Sequence, residues 1–156
     1  MASLTFLLLL QGVLLATAQI LKPCDVAETM MNLGEKRTKA SHWVCLAKFV
    51  SGFNTQALGG PYPDGSYDFG VFQINDRYCK LGSKESCGVP CTDLVKDNLL
   101  PSAKCALKIY QKVGFQAWPK WKDNCQNQDT LRFISKCSLK SSFRKMLSPF
   151  EDDDDS

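Results

Sequence analysis

The sequence predicts an α+β fold in which a helical lobe flanks a small antiparallel β lobe, with a cleft where the two meet. Three observations carry this prediction. Helical periodicity marks residues 25–33 and 41–49 and returns from Thr92 onward. A turn-rich stretch followed by an aromatic and β-branched run separates the two helical regions. Eight cysteines, an even number, are spread over only 156 residues, the pattern of a small secreted domain stapled by four disulfides.

At the start, Leu4 to Ala16 is a mostly apolar run ending in the small-x-small pattern Ala16-Thr17-Ala18. Met1 to Ala18 therefore reads as a secretion signal, and its apolar run of about thirteen residues is too short to span a bilayer, which takes ~20. Asp25 to Leu33 places Val26, Met30 and Leu33 on one helical face, with Gly34 as a stop. Ser41 is positioned to cap a second helix through Phe49, with Trp43, Cys45, Leu46, Phe49 and Val50 turned inward and Gly52 ending it. Gly59-Gly60-Pro61-Tyr62-Pro63-Asp64-Gly65 is turn chemistry, and Tyr67 to Ile74 reads as a hairpin region reaching Asn75. Asp93 to Leu100 is helical in pattern, Pro101 predicts a break, and Ser102 to Val113 aligns Cys105, Ile109 and Val113. Short helical pieces around Trp118 to Trp121 and Asp129 to Cys137 complete the domain, which spans 19–150 and precedes an acidic tail at 151–156.

Charge and composition exclude several classes of function. The net charge is +3, but Glu151 to Asp155 hold five negative charges, so residues 19–150 carry 19 Lys and Arg against 11 Asp and Glu, or +8. Such a body favours anionic surfaces such as bacterial walls or acidic polysaccharides, with no motif for nucleic acid and no membrane span. The closest cysteine spacing is Cys87-x3-Cys91 and the single histidine is His42. That inventory argues against a zinc site and against any nucleophile activated by histidine.

The strings Trp43-Val44-Cys45-Leu46-Ala47-Lys48-Phe49 and Ser51-Gly52-Phe53-Asn54-Thr55-Gln56-Ala57 resemble the second helix and its exit in the C-type lysozyme and α-lactalbumin family. Asp64-Gly65-Ser66-Tyr67-Asp68-Phe69-Gly70-Val71-Phe72-Gln73-Ile74-Asn75 is similar to that family's active-site hairpin. Ala117-Trp118, with Trp121 ahead of Cys125, resembles its cleft wall. The resemblance implies a lysozyme-like fold with bridges Cys24–Cys137, Cys45–Cys125, Cys79–Cys91 and Cys87–Cys105, a pairing that spacing alone could not select.

It also implies a chemistry. Retaining glycosidases work with two carboxyl groups about 5 Å apart, one donating a proton and the other stabilising positive charge. Asp68 matches the charge-stabilising position. The proton donor should follow Phe49 directly, where this chain has Val50. Loss of a positioned acid costs ~10²- to 10⁴-fold, and Glu28, Glu35, Asp64 and Glu85 do not follow the helix into the cleft. Sugar contacts are expected at Asn75, Tyr78, Ala117 and Trp118. Tyr78 reads as a ligand contact and Trp43 and Trp121 as core, while Trp118 suits either role. The segment Asp76-Arg77-Tyr78-Cys79 is one residue shorter than the family pattern, so one stacking surface is missing or replaced by Arg77. In the stretch from Cys91 to Ser102, Lys96 and Pro101 stand at places where calcium-binding members offer ligands, so no metal or cofactor is expected.

The expectation is a secreted, monomeric protein that binds peptidoglycan or chitin-type N-acetylhexosamine polymers without muramidase activity, with a bacteriostatic immune role. Two alternatives stand beside it. One is an active lysozyme using a displaced or water-relayed acid; the other is a regulatory or gamete-surface partner of another protein, as in α-lactalbumin-like members.

Overall fold

A computed structural model describes residues 18–139. The expected signal segment, Ala18 excepted, and the acidic tail at 151–156 lie outside the described residues.

Helix α1, Pro23–Asn32, starts with proline at its first position, where no intrahelical partner awaits its missing N–H. The Asp25 carboxylate accepts from the Lys22 amide at 3.1 Å and steadies that turn. Helix α2, Arg37–Ser51, begins four residues before the expected cap. Ser41 is a buried interior residue, and its hydroxyl bonds to the Thr38 carbonyl and to the Thr130 hydroxyl, each at 2.7 Å. It therefore ties α2 to the 3-10 turn Thr130–Ile134 instead of capping the helix. At the other end, Gly52 takes the left-handed conformation and donates to the Lys48 carbonyl at 3.1 Å.

The β lobe is a three-stranded antiparallel sheet with strands β1 Leu58–Gly59, β2 Asp68–Phe69 and β3 Ile74–Asn75, in that order. The hairpin β2–β3 falls within the expected region 67–75, whereas β1 lies at the start of the stretch that reads as turn. Register sets Gly59 and Asn75 on either side of Asp68. Gly70 turns the chain at φ +71°, and a Cβ there would run into the Leu94 carbonyl, so the lobe closes on its neighbouring loop only with glycine at this point.

A single helix α3, Leu99–Val113, replaces the expected break at Pro101. Pro101 is the third residue of α3, still within the first turn where backbone N–H groups lack helical partners, so it starts the helix without interrupting it. The segment before it holds only a 3-10 turn, Cys91–Asp93. Asn98 supplies the cap, its side chain accepting from the Leu100 amide at 3.0 Å. Cys105 and Ile109 face the core, but Val113 at the last turn is half exposed. Helix α4 spans Pro119–Asn124.

The core is centred on Trp43, fully buried, whose ring meets Phe115 at 4.6 Å, Phe72 and Trp118 at 5.5 Å and Tyr110 at 5.6 Å between centroids. Trp121 stacks on the far side of Phe115 at 4.8 Å. Phe49, expected inward, is exposed. It sits at the end of α2, past the core, against Phe133 and beneath the Lys48 ammonium. Four disulfides join Cys24 to Cys137, Cys45 to Cys125, Cys79 to Cys91 and Cys87 to Cys105. The first two fasten α1 to the segment after the Thr130–Ile134 turn and α2 to the end of α4. The other two fasten the irregular loop between the lobes, where short elements bury little on their own.

Candidate functional site

A cleft of about 620 Å³ runs between the lobes. The end of α2 contributes Val50, α3 contributes Ile109, and the wall from the 3-10 turn Gly114–Ala117 into α4 contributes Ala117, Trp118 and Lys120. Asp68, Gln73, Ile74, Asn75, Arg77 and Tyr78 face them from the β side, together with Tyr62 and Asp64 from the loop between β1 and β2. The six cleft positions anticipated from sequence, Val50, Asp68, Asn75, Tyr78, Ala117 and Trp118, thus line one space.

The geometry around Asp68 is a chain of hydrogen bonds across the sheet. Asn75, its cross-strand neighbour, donates its amide to Asp68 Oδ1 at 2.9 Å, and Tyr62 donates its hydroxyl to Oδ2 at 2.7 Å. Bonding to the carboxylate pushes the Tyr62 phenol up to about 12. Asn75 also accepts from Arg77 Nε at 3.1 Å and, through the Arg77 amide, caps the 3-10 turn Asp76–Tyr78. The Arg77 guanidinium in turn lies 5.5 Å from the centre of the Tyr78 ring. Arg77 therefore lies over one face of Tyr78.

Asp64 is the second carboxyl group in the cleft, a position not expected from sequence. The Ser66 hydroxyl donates to its Oδ1 at 2.6 Å and the Ser66 amide at 3.0 Å, and these bonds hold its carboxyl below the usual range. Among the described residues lining the cleft, Asp64 and Asp68 are the two that carry a carboxyl group. Both come from the β side. At the end of α2 stands the half-buried aliphatic side chain of Val50.

Trp118 is 5% exposed, and its indole N–H is spent on the Phe72 carbonyl at 2.8 Å. It backs the wall and has little surface to offer a ligand. Trp43 and Trp121 are core residues, as the sequence suggested. In the loop compared above with calcium-binding members, Asp93 pairs with Lys96 at 2.6 Å and Asp97 accepts from the Thr55 hydroxyl at 2.9 Å.

Tyr62, Gln73 and Lys120 also line the cleft, beyond the positions expected from the sequence. Lys120 follows the proline that starts α4, and Gln73, at φ +47°, donates to the Ala57 and Gly70 carbonyls. Tyr62 carried a signal, an aromatic inside a Gly-Pro turn, but nothing in the string tells which way such a turn folds.

The family model for the C-type lysozyme/alpha-lactalbumin family matches residues 19–137. Lysozyme C of Halichoerus grypus is 36% identical over 145 residues, covering 85% of this chain and 98% of the relative. Lysozyme C of Oryctolagus cuniculus is 37% identical over 130 residues, with 78% and 100% covered. A lysozyme of Galleria mellonella is 38% identical over 117 residues, with 73% and 96% covered.

Proposed function

The chain belongs to the C-type lysozyme/alpha-lactalbumin family, and from that premise we propose that it is a secreted, monomeric binding protein for β-1,4-linked N-acetylhexosamine polymers, peptidoglycan or chitin, that does not cleave them. One observation carries the reading: the cleft has its carboxyl groups on the β side and Val50 at the end of α2, where an acid would have to face Asp68. Valine has no proton to donate. Asp64 is a poor substitute, because its bonds from Ser66 favour the ionised form, whereas an acid working near neutrality needs its proton retained.

The binding half of the site is better supplied. Asn75, Tyr78, Ala117 and Trp118 supply an amide, a phenol, backbone groups and a little aromatic surface within one groove, the mix of apolar surface and few polar groups that saccharides require. Outside the cleft, the +8 charge of residues 19–150 draws the protein to anionic walls. No helix among the described residues is long and apolar enough to cross a membrane. Retention on a wall without cleavage is the basis for a bacteriostatic role.

The test is one peptidoglycan preparation assayed for both binding and lysis. Binding that N-acetylglucosamine oligomers compete away, without clearing of the suspension, is the expected result. Clearing at a rate typical of the family, abolished by Asp68→Asn, would overturn the reading in favour of a hydrolase with a displaced acid.

A further inference from the structure

We propose that Tyr62 is an additional sugar-stacking platform on the β-side rim of the cleft, and that Asp68 is the positioning residue that holds its ring there. The assignment rests on the reading of the cleft as a saccharide site. It gives Asp68 a task in a chain that lacks the partner acid.

Tyr62 is 42% exposed, yet it is fixed at both ends. Its hydroxyl is bound to Asp68 at 2.7 Å. Its amide donates to the Ser66 carbonyl at 3.0 Å and its carbonyl accepts from Gly65 at 2.8 Å, while Asp64 and Ser66 brace the same loop. An aromatic whose polar end is satisfied and which stays this exposed in the lining of a cleft is suited to the apolar C–H face of a hexose. Because the ring is already held, little side-chain freedom remains to be lost when a sugar docks.

Gly59 supports the same assignment independently. It lies opposite Asp68 in the sheet, and a Cβ at this point would stand 2.9 Å from the Tyr62 hydroxyl and 2.6 Å from Gln73 Oε1. The phenol thus reaches Asp68 across a strand position left bare of any side chain. The other cleft aromatics offer less: Arg77 lies over the Tyr78 ring, and Trp118 is 5% exposed.

The experiment measures affinity for N-acetylglucosamine oligomers by calorimetry, alongside an alkaline absorbance titration of the tyrosines. Tyr62→Ala should weaken binding by about tenfold, and Tyr62→Phe, which keeps the ring, by less. Asp68→Ala should also weaken binding, and the double variant should be no worse than Tyr62→Ala, since Asp68 acts through Tyr62. In Asp68→Ala one tyrosine should titrate nearer the ordinary 10 than the parental value of about 12. Gly59→Ala should reproduce both effects without altering either residue. Parental binding that survives Tyr62→Ala unchanged overturns the platform, and additive losses in the double variant or an unmoved titration overturn the role of Asp68. A parent that binds no oligomer overturns this assignment together with the saccharide reading.

Discussion

The Trp118 indole donates to the Phe72 carbonyl at 2.8 Å, a buried bond that joins the helical wall of the cleft to the turn between β2 and β3. Both rings also meet Trp43, each at 5.5 Å, so one core residue backs the two walls. The bond and the shared packing together set how far apart the lobes stand. A tryptophan used in this way keeps the cleft in shape but, at 5% exposure, leaves little of its own surface available.

Replacing Trp118 by Phe keeps most of the packing but leaves the Phe72 carbonyl buried without a donor, which should cost about 1–3 kcal/mol. Chemical denaturation of the parent and the variant measures the difference. Trp118→Ala should cost more, about 3–5 kcal/mol, because it also opens a cavity beside Trp43.

How much of this was legible beforehand follows the range of the forces involved. Helices α1 and α2 write their buried faces into the sequence at helical spacing, so Val26, Met30, Trp43 and Leu46 could be placed. The start of α2 could not be, because Ser41 looks like a cap unless Thr130, 89 residues away, is known to bond it. Pro101 is ambiguous for a related reason: a proline breaks or begins a helix depending on where the first turn lies. In the site, Val50 and Asp68 came from a matching string. Tyr62 did not, since its place depends on a loop bending over Gly59.

Gly70→Ala should be strongly destabilising. The residue adopts φ +71°, and the added Cβ would meet the Leu94 carbonyl, a backbone atom that cannot rotate away. Strain in the left-handed region alone costs of order 1–3 kcal/mol. Gly65→Ala offers the comparison, being equally left-handed at φ +78° with open space around its Cβ. It should lose less stability in the same thermal unfolding assay.

Stability should fall as pH drops below about 6.5. His42 has a buried Nδ1 without a hydrogen-bond partner and packs against Trp121 and Phe115, and burial lowers its pKa from the ordinary 6.5. The unfolded chain therefore takes up a proton first, so the contribution is whole above that pH and is lost as pH falls toward the lower folded value. His42 is the single histidine. Melting temperatures measured between about pH 7.5 and 5 should show the slope in the parent and a flatter profile in His42→Asn; equal slopes would assign the effect to carboxylates.

Val50→Glu should raise muramidase activity above the parental level, and Val50→Gln should not. The new carboxyl group would stand at the end of α2 with Ile74, Ile109 and Trp118 lining the same cleft, surroundings that disfavour the ionised form and keep a proton available near neutrality. Asp68 would face it from β2 as the second carboxylate. Recovery should be partial. Tyr62 occupies Asp68 Oδ2, and the Arg77 guanidinium lies over the Tyr78 ring. A sugar displaced by about 1 Å loses ~100-fold in rate. Adding Tyr62→Phe to Val50→Glu frees that oxygen while keeping the ring, and should increase turnover further. Turbidity clearance by the parent, both single Val50 variants and the double variant orders the four, and a glutamine variant as active as the glutamate one would remove proton donation from the explanation.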